Sequence, residues 1–404
     1  MARIDRPSKP AAALLAAAAL AAAAASPLPP RITFRGTIDL PATAADAAGV
    51  DVPLTGFSGV TWLDGDRYAA VMDNSDVVVR FRLALGAGGE PRAVNDVAVI
   101  RLGAVHDYED IAIRPGAARQ LLVCEEDTPA IHVAALDGTP LGAPLPLPEI
   151  LCSRRPNRGL ESLAIDPDGR HLWTATEEAL PEDGPAATLD AGTVVRLVRM
   201  PLLRDDGQPA AQFAYAVDPP HRFAPLFGGV PVSGLVAIAP LGAGRLLVLE
   251  RSGAPGVPPF AGRIHLVDTA GCPDVAGIDA GLAGRTDCHL QKLRLWEDAL
   301  GINLEGMCLG PRLAAGGRGL VAVADNGGIG GPNRIACFAV TEPTAAGRSA
   351  PTTSPSPCST RSPCGPDRGR PPSRACRDGW RAPCHRRPGP GIPAPCCRDR
   401  PASR

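Results

Sequence analysis

The sequence predicts an all-β fold, a β-propeller of five four-stranded blades with room for a sixth. Three observations carry that expectation. A strand opened by a small or acidic residue recurs as Phe57-Ser58-Gly59, Tyr108-Glu109-Asp110, Leu160-Glu161-Ser162, Val232-Ser233-Gly234 and Leu304-Glu305-Gly306. After a turn, each is followed by a second strand ending in an acid: Asp73, Glu125, Glu177, Glu250 and Asp325, at gaps of 15, 16, 16, 17 and 20 residues. Third, the stretch 32–40 reads as a strand that can close the ring by joining the last repeat. Four short strands repeated at this period form blades around a channel, with the first strand of each lining the axis. A sandwich or solenoid could use the same strands, but only radial closure brings every repeat to one point.

Taken in order, residues 1–25 read as a secretory signal. Arg3, Arg6 and Lys9 form a basic start, 11–25 is all Ala and Leu, and small residues around 23–26 offer cleavage. The run is too short and too rich in alanine for a good membrane span, so a periplasmic or secreted protein without stable membrane insertion is expected. A single domain over 31–341 follows. Its third strands fall at 77–83, 130–135, 193–199, 263–267 and 334–340, and fourth strands at 94–101, 212–217 and 291–296. A sixth blade would have to lie in 200–232 or 270–300. Residues 342–404 are dominated by Pro, Arg, Ser, Ala, Gly and Cys, cannot bury enough apolar surface to order, and resemble an out-of-frame reading of a GC-rich gene. The six cysteines there match no zinc spacing. In the body, Cys272 with Cys288 is the best local disulfide pair.

Aromatic residues make up only 4% of the chain, so the core must rely on Val, Leu, Ile and Ala. The net charge of −1 hides a split: 12 Arg against 4 acids from residue 342 onward leaves about −9 for 1–341. An acidic body does not fit a nucleic-acid partner, which requires a basic footprint. It fits a cation.

In a closed ring, Glu109, Glu161 and Glu305 converge with Ser58 and Ser233, and the acids ending the second strands stand nearby. Carboxylates crowded at one point repel unless protons or a cation neutralise them. Hard oxygens in a loose ring favour a divalent cation, Ca2+ first and Mg2+ next. The expected ligands are Glu109, Glu161, Glu305, Asp325, Asp73 and Glu250. The expected catalytic carboxylates are Glu161, Glu305, Glu109 and Glu177, one of them a general base toward a metal-polarised ester or phosphoryl group. Arg158, Arg251 and Lys292 are the expected anion-holding groups, and Asn157, Asn303 and Asn326 flank the same positions. Acids at blade turns also serve as turn-formers bonded to backbone amides, which is the structural alternative. No G-x-S-x-G elbow, phosphate-binding loop, H-E-x-x-H or dinucleotide fingerprint is present. His132, His171 and His265 sit inside strands and are expected to face solvent.

The stretches 155–169, 174–180, 247–252, 303–307 and 324–326 together resemble the phytase-like family, "esterase-like activity of phytase", of exported bacterial proteins, over about residues 50–340. The resemblance implies a propeller and a phosphoester or ester hydrolase with functional Asp and Glu; a small-molecule substrate and a monomer are expected. Its motif acids fall on Glu109, Glu161, Glu177, Glu250, Glu305 and Asp325. The chain departs from the family at Tyr108-Glu109-Asp110, where Glu-Gly is more usual, and after Val340, where the family ends. A sugar-lactonase-like propeller and a non-enzymatic calcium-binding propeller are the alternatives.

Overall fold

Short apolar runs separated by Gly-, Pro- and Asp-rich turns fold as strands throughout. The computed structural model describes residues 28–116, 118–202, 210–298, 300–325 and 332–343. The leader expected at 1–25, the tail beyond 343 and Asn326 lie outside those residues. Among the described residues the only helical segment is a 3-10 turn at Glu149–Cys152, and no helix is long and apolar enough to cross a membrane.

The chain begins with β1 (Arg31–Asp39) and a short hairpin of β2 (Thr43–Ala45) and β3 (Asp51–Pro53). Blade one is β4 (Phe57–Asp64), β5 (Arg67–Met72), β6 (Ser75–Leu85) and β7 (Pro91–His106), paired in that order. Blade two is β8 (Tyr108–Arg114), β9 (Gln120–Glu125) and β10 (Ala130–Ala135). Blade three is β11 (Leu160–Ile165), β12 (His171–Thr176), β13 (Thr193–Pro201) and β14 (Ala211–Val217). After β15 (Ala224–Pro225) come β16 (Val232–Gly242), β17 (Arg245–Gly253), the short β18 (Gly256–Val257) pairing back onto β15, β19 (Phe260–Asp268) and β20 (Lys292–Asp298). Blade four is β16-β17-β19-β20. Blade five is β21 (Asn303–Arg312), β22 (Arg318–Asp325) and β23 (Arg334–Thr341), completed by β1.

The ring therefore has five blades, and the described residues within 200–232 and 270–300 hold blade ends and connections, not a sixth. β1 runs antiparallel to β23 from Arg31 opposite Thr341 to Asp39 opposite Arg334, closing the ring with the start and end of the domain. The first strands touch in a closed cycle, β4 to β8 to β11 to β16 to β21 and back to β4. One expectation needs correction. Blade two has three ladder strands, and its outer edge is reduced to single bridges from Leu145 to Ile131 and from Pro140 to Ala134.

Five apolar cores lie between successive blades, and strand alternation feeds them in pairs. On β5, Ala70 and Met72 pack toward blade five, while Ala69 and Val71 pack toward blade two. On β22, Val321 and Val323 join the first of those cores, while Leu320, Ala322 and Ala324 join the one shared with blade four. Both faces of each inner strand are thus covered, so these strands read as nearly continuous apolar runs. Cys272 and Cys288 do not form the expected bridge. The Cys272 thiol lies on the Asp268 carbonyl, whereas Cys288 is buried with Val275 and Leu282.

Candidate functional site

A β-bulge aims the repeated acids. In β4, Phe57 pairs with Met72 and Gly59 with Val71, which leaves Ser58 as the extra residue. The same skip leaves out Glu109 in β8, Glu161 in β11 and Glu305 in β21. A bulged residue bends its strand and redirects its side chain, here into the channel mouth. In blade four the skip falls between Leu235 and Ala237, so the residue equivalent to those four is Val236, not Ser233. Glycine follows the bulge where first strands approach most closely. A Cβ on Gly306 would lie 2.6 Å from Gly59 Cα, and one on Gly59 would lie 2.4 Å from Asp110 Cα.

The same register corrects the second-strand positions. The residues just beyond the partners of Phe57, Tyr108, Leu160, Leu235 and Leu304 are Asp73, Glu126, Glu177, Arg251 and Asp325. All five line one cavity of about 120 Å³ together with Ser58, Glu109, Asn157, Arg158, Glu161 and Glu305. Sequence reading missed Glu126, placing Glu125 there, and Asp107. In the structure each of the five positions lies five residues after a buried residue near the start of its strand, namely Tyr68, Leu121, Leu172, Leu246 and Leu320, but the residues that follow these are buried as well, so no spacing in the sequence singles the positions out. A larger cavity of about 450 Å³ lies further along the same first strands, lined by Val60, Ile111, Leu163, Ile238 and Met307. Its one acidic lining residue is Asp166, whereas the carboxylate cluster lines the smaller cavity.

Two groups of three carboxylates in and beside this cavity each have oxygens within 4.8 Å of one another: Asp107, Glu109 and Glu126, and Glu126, Glu161 and Glu177. At an effective dielectric of about 20, two charges at that spacing repel by about 3 kcal/mol. Proton affinities rise accordingly. Burial, then Glu177 and Asp107, lifts Glu126 to about 7 despite the Gly159 amide donating to it at 2.7 Å. Burial, then Asp325 and Asp107, lifts Asp73 to about 6. Glu109 and Glu161 stand well above the usual carboxylate range, through desolvation first and neighbouring carboxylates second.

Two arginines make direct ion pairs on one side of the cavity and act on Glu126 and Glu161 only through space. Arg251 reaches Glu177 and Glu305 at 3.3 Å, and Arg158 reaches Glu177 at 2.7 Å and Glu178 at 3.3 Å. Burial nevertheless lifts Glu305 to about 7 against the pull of Arg251. Asn303 donates its side-chain amide to Glu305, which fixes that carboxylate. Among the described residues, Asp73, Asp107, Glu109, Glu126 and Glu161 form no direct ion pair with an arginine or lysine. An all-oxygen set with unspent negative charge and raised proton affinity fits a hard divalent cation.

Several expected residues lie elsewhere. Glu250 accepts from Tyr215 Oη and Lys292 Nζ, both at 2.6 Å, and from the Asp218 amide at 3.0 Å. Lys292 also pairs with Asp218 at 2.6 Å, so Glu250 and Lys292 belong to a charge network that joins the end of blade three to blade four, and neither lines the cavity. His265 is buried in the same network, not facing solvent, and His132 and His171 are half-buried. Asp110, at the departure from Glu-Gly, accepts the Ile111 and Leu163 amides at 2.8 and 2.7 Å and ties the first strands of blades two and three.

The fold and the site together define a five-bladed propeller with a carboxylate-lined channel mouth. The chain belongs to the phytase-like family, described as esterase-like activity of phytase, whose model matches residues 52–328. No curated protein matches the sequence significantly. Among solved structures, it is similar to an endo-arabinase from Bacteroides thetaiotaomicron at 13% identity and a TM-score of 0.39, covering 72% of this chain and 95% of that one. It is also similar to the tail fibre of Staphylococcus aureus phage P68 at 10% identity and a TM-score of 0.38, covering 78% of this chain and 53% of the fibre, about half its length.

Proposed function

We propose that this protein is an exported hydrolase of small phosphate or other esters, working at the channel mouth with a divalent cation, Ca2+ foremost. The observation that carries the reading is the pair of carboxylate groups meeting at Glu126 beside two arginines. Asp107, Glu109 and Glu126 would hold the cation, with Asp73 and Asp325 at the edge. When bound, it would polarise the phosphoryl or carbonyl oxygen and acidify a water. Arg158, half-buried at the rim, is positioned to draw the substrate anion in. Arg251 holds Glu177 and Glu305 in place. Glu161, whose proton affinity is raised, suits proton transfer near neutral pH better than an ordinary carboxylate. A cavity of about 120 Å³ admits one reacting group while the rest of the substrate stays outside.

A panel of aryl phosphates and carboxylic esters, with chelator and with Ca2+, tests this. Hydrolysis should require the cation and fall roughly 10²–10⁴-fold in Glu161→Gln with folding retained. Metal-loaded protein inert on the whole panel would defeat the enzyme reading. Because Arg251 already supplies an internal cation, a binding propeller is the second reading. A Ca2+ effect on melting temperature without turnover would support it.

A further inference from the structure

We propose that His106, Glu125 and His132 form a second metal site, chemically distinct from the channel mouth and suited to a borderline transition ion such as Zn2+. It stands independently of the proposed hydrolase activity. His106 ends β7 of blade one, while Glu125 ends β9 and His132 lies in β10 of blade two. His106 Nδ1 lies 2.9 Å from Glu125 Oε1, and His132 Nε2 lies 2.7 Å from Oε2. The three ligand atoms all fall within 4.8 Å of one another.

The surroundings hold that arrangement in place. The two imidazoles stack with centroids 5.0 Å apart, and the Tyr108 ring packs 5.2 Å from one and 5.7 Å from the other. The Glu125 side chain is 5% exposed, whereas those of His106 and His132 are 32% and 28% exposed, so the group opens to solvent on the imidazole side. Among the described residues, Glu125 has no arginine or lysine partner, only these two rings. A buried carboxylate is ordinarily balanced by a permanent cation, and among the described residues none faces this one. A divalent ion would supply the missing charge. Two nitrogens and one carboxylate are a zinc-type donor set, with a fourth position left for water. Ligand bonds of about 2.0–2.1 Å at tetrahedral angles place N and O about 3.3 Å apart. The present distances need open by only about 0.5 Å, within reach of side-chain rotation.

The position ties the site to the rest of the fold. Glu125 and Glu126 are consecutive at the end of β9, one directed to the histidine pair and the other to the channel mouth. An ion on Glu125 would therefore fix the strand end that carries Glu126.

The test uses the full chain stripped with chelator and then titrated with Zn2+ against a chromophoric chelator, and separately with Co2+ in visible absorption. One saturable Zn2+ should bind per chain at this site, and Co2+ should give tetrahedral d–d bands. His132→Gln, which can still donate to Glu125, and His106→Asn should each weaken binding by more than the roughly 10–100-fold that losing an outer-shell partner costs. His171→Gln should leave binding unchanged. Zn2+ should also protect His106 and His132 of the wild type from imidazole acylation mapped by mass spectrometry, which holds even if a variant fails to fold. Absence of saturable binding, uptake undiminished in both variants, or no protection of these two histidines overturns the proposal.

Discussion

Replacing Glu126 by Gln isolates the carboxylate crowding at the channel mouth. The amide keeps an oxygen for the Gly159 N–H but removes a charge within 4.8 Å of Glu161 and Glu177. In the wild type, Glu126 moves from 4.5 to about 7. At 1.36 kcal/mol per pH unit this is on the order of 3 kcal/mol, less whatever its neighbours share. The folded chain holds this proton more tightly than the unfolded chain. The stabilisation is therefore complete below about pH 4.5 and is lost as pH rises through about 7. Asp218 and Glu125, whose values are depressed chiefly by His265 and Lys292 and by His132 and His106, act below that window. Urea unfolding of chelated wild-type protein should show stability falling from about pH 4.5 to about pH 8, with Asp73 and Glu305 adding to the fall, and Glu126→Gln should remove about 2–3 kcal/mol of it. Saturating Ca2+ should recover the loss near pH 8 and have little effect near pH 5, where protons already neutralise the site. Stability that rises with pH across this window, or an unchanged slope in the variant, would refute the reasoning.

Two further substitutions probe the same region. Arg251→Met strands Glu177 and Glu305 without their shared guanidinium and should cost about 3–5 kcal/mol in urea unfolding; adding Glu305→Gln should recover part of the loss. Gly234→Ala places a Cβ 2.4 Å from Glu177 Cγ and should lower stability by about 1–3 kcal/mol. Gly277→Ala, where nothing lies within 4 Å, serves as the near-neutral control in the same thermal melts.

The five-fold recurrence, the closing strand and the acidic channel mouth were legible because they rest on local pattern. Apolar runs alternate or persist according to which faces are covered, and a repeated strand pair has few ways to bury both faces. Glu109, Glu161, Glu177, Glu305, Asp73 and Asp325, expected from that pattern, line the cavity, and so do Arg158 and Arg251. Glu126 was missed, and Glu250 and Lys292 were expected at a site they do not line.

Those differences have one cause. A β-bulge shifts every side chain beyond it, and its position is set by how the first strands pack around the axis, not by any residue the strand itself displays. In blade four the skip falls at Val236, so Arg251 takes the place where the other blades offer an acid, and Glu250 turns toward Tyr215 and Lys292. The sequence by itself determined that acids recur near the start and end of each inner strand pair. Only the tertiary structure decided which of two consecutive residues faces the axis, because a one-residue slip in a strand reverses inside and outside. It also brought His106 from one blade to Glu125 and His132 of the next, a meeting no spacing along the chain announces.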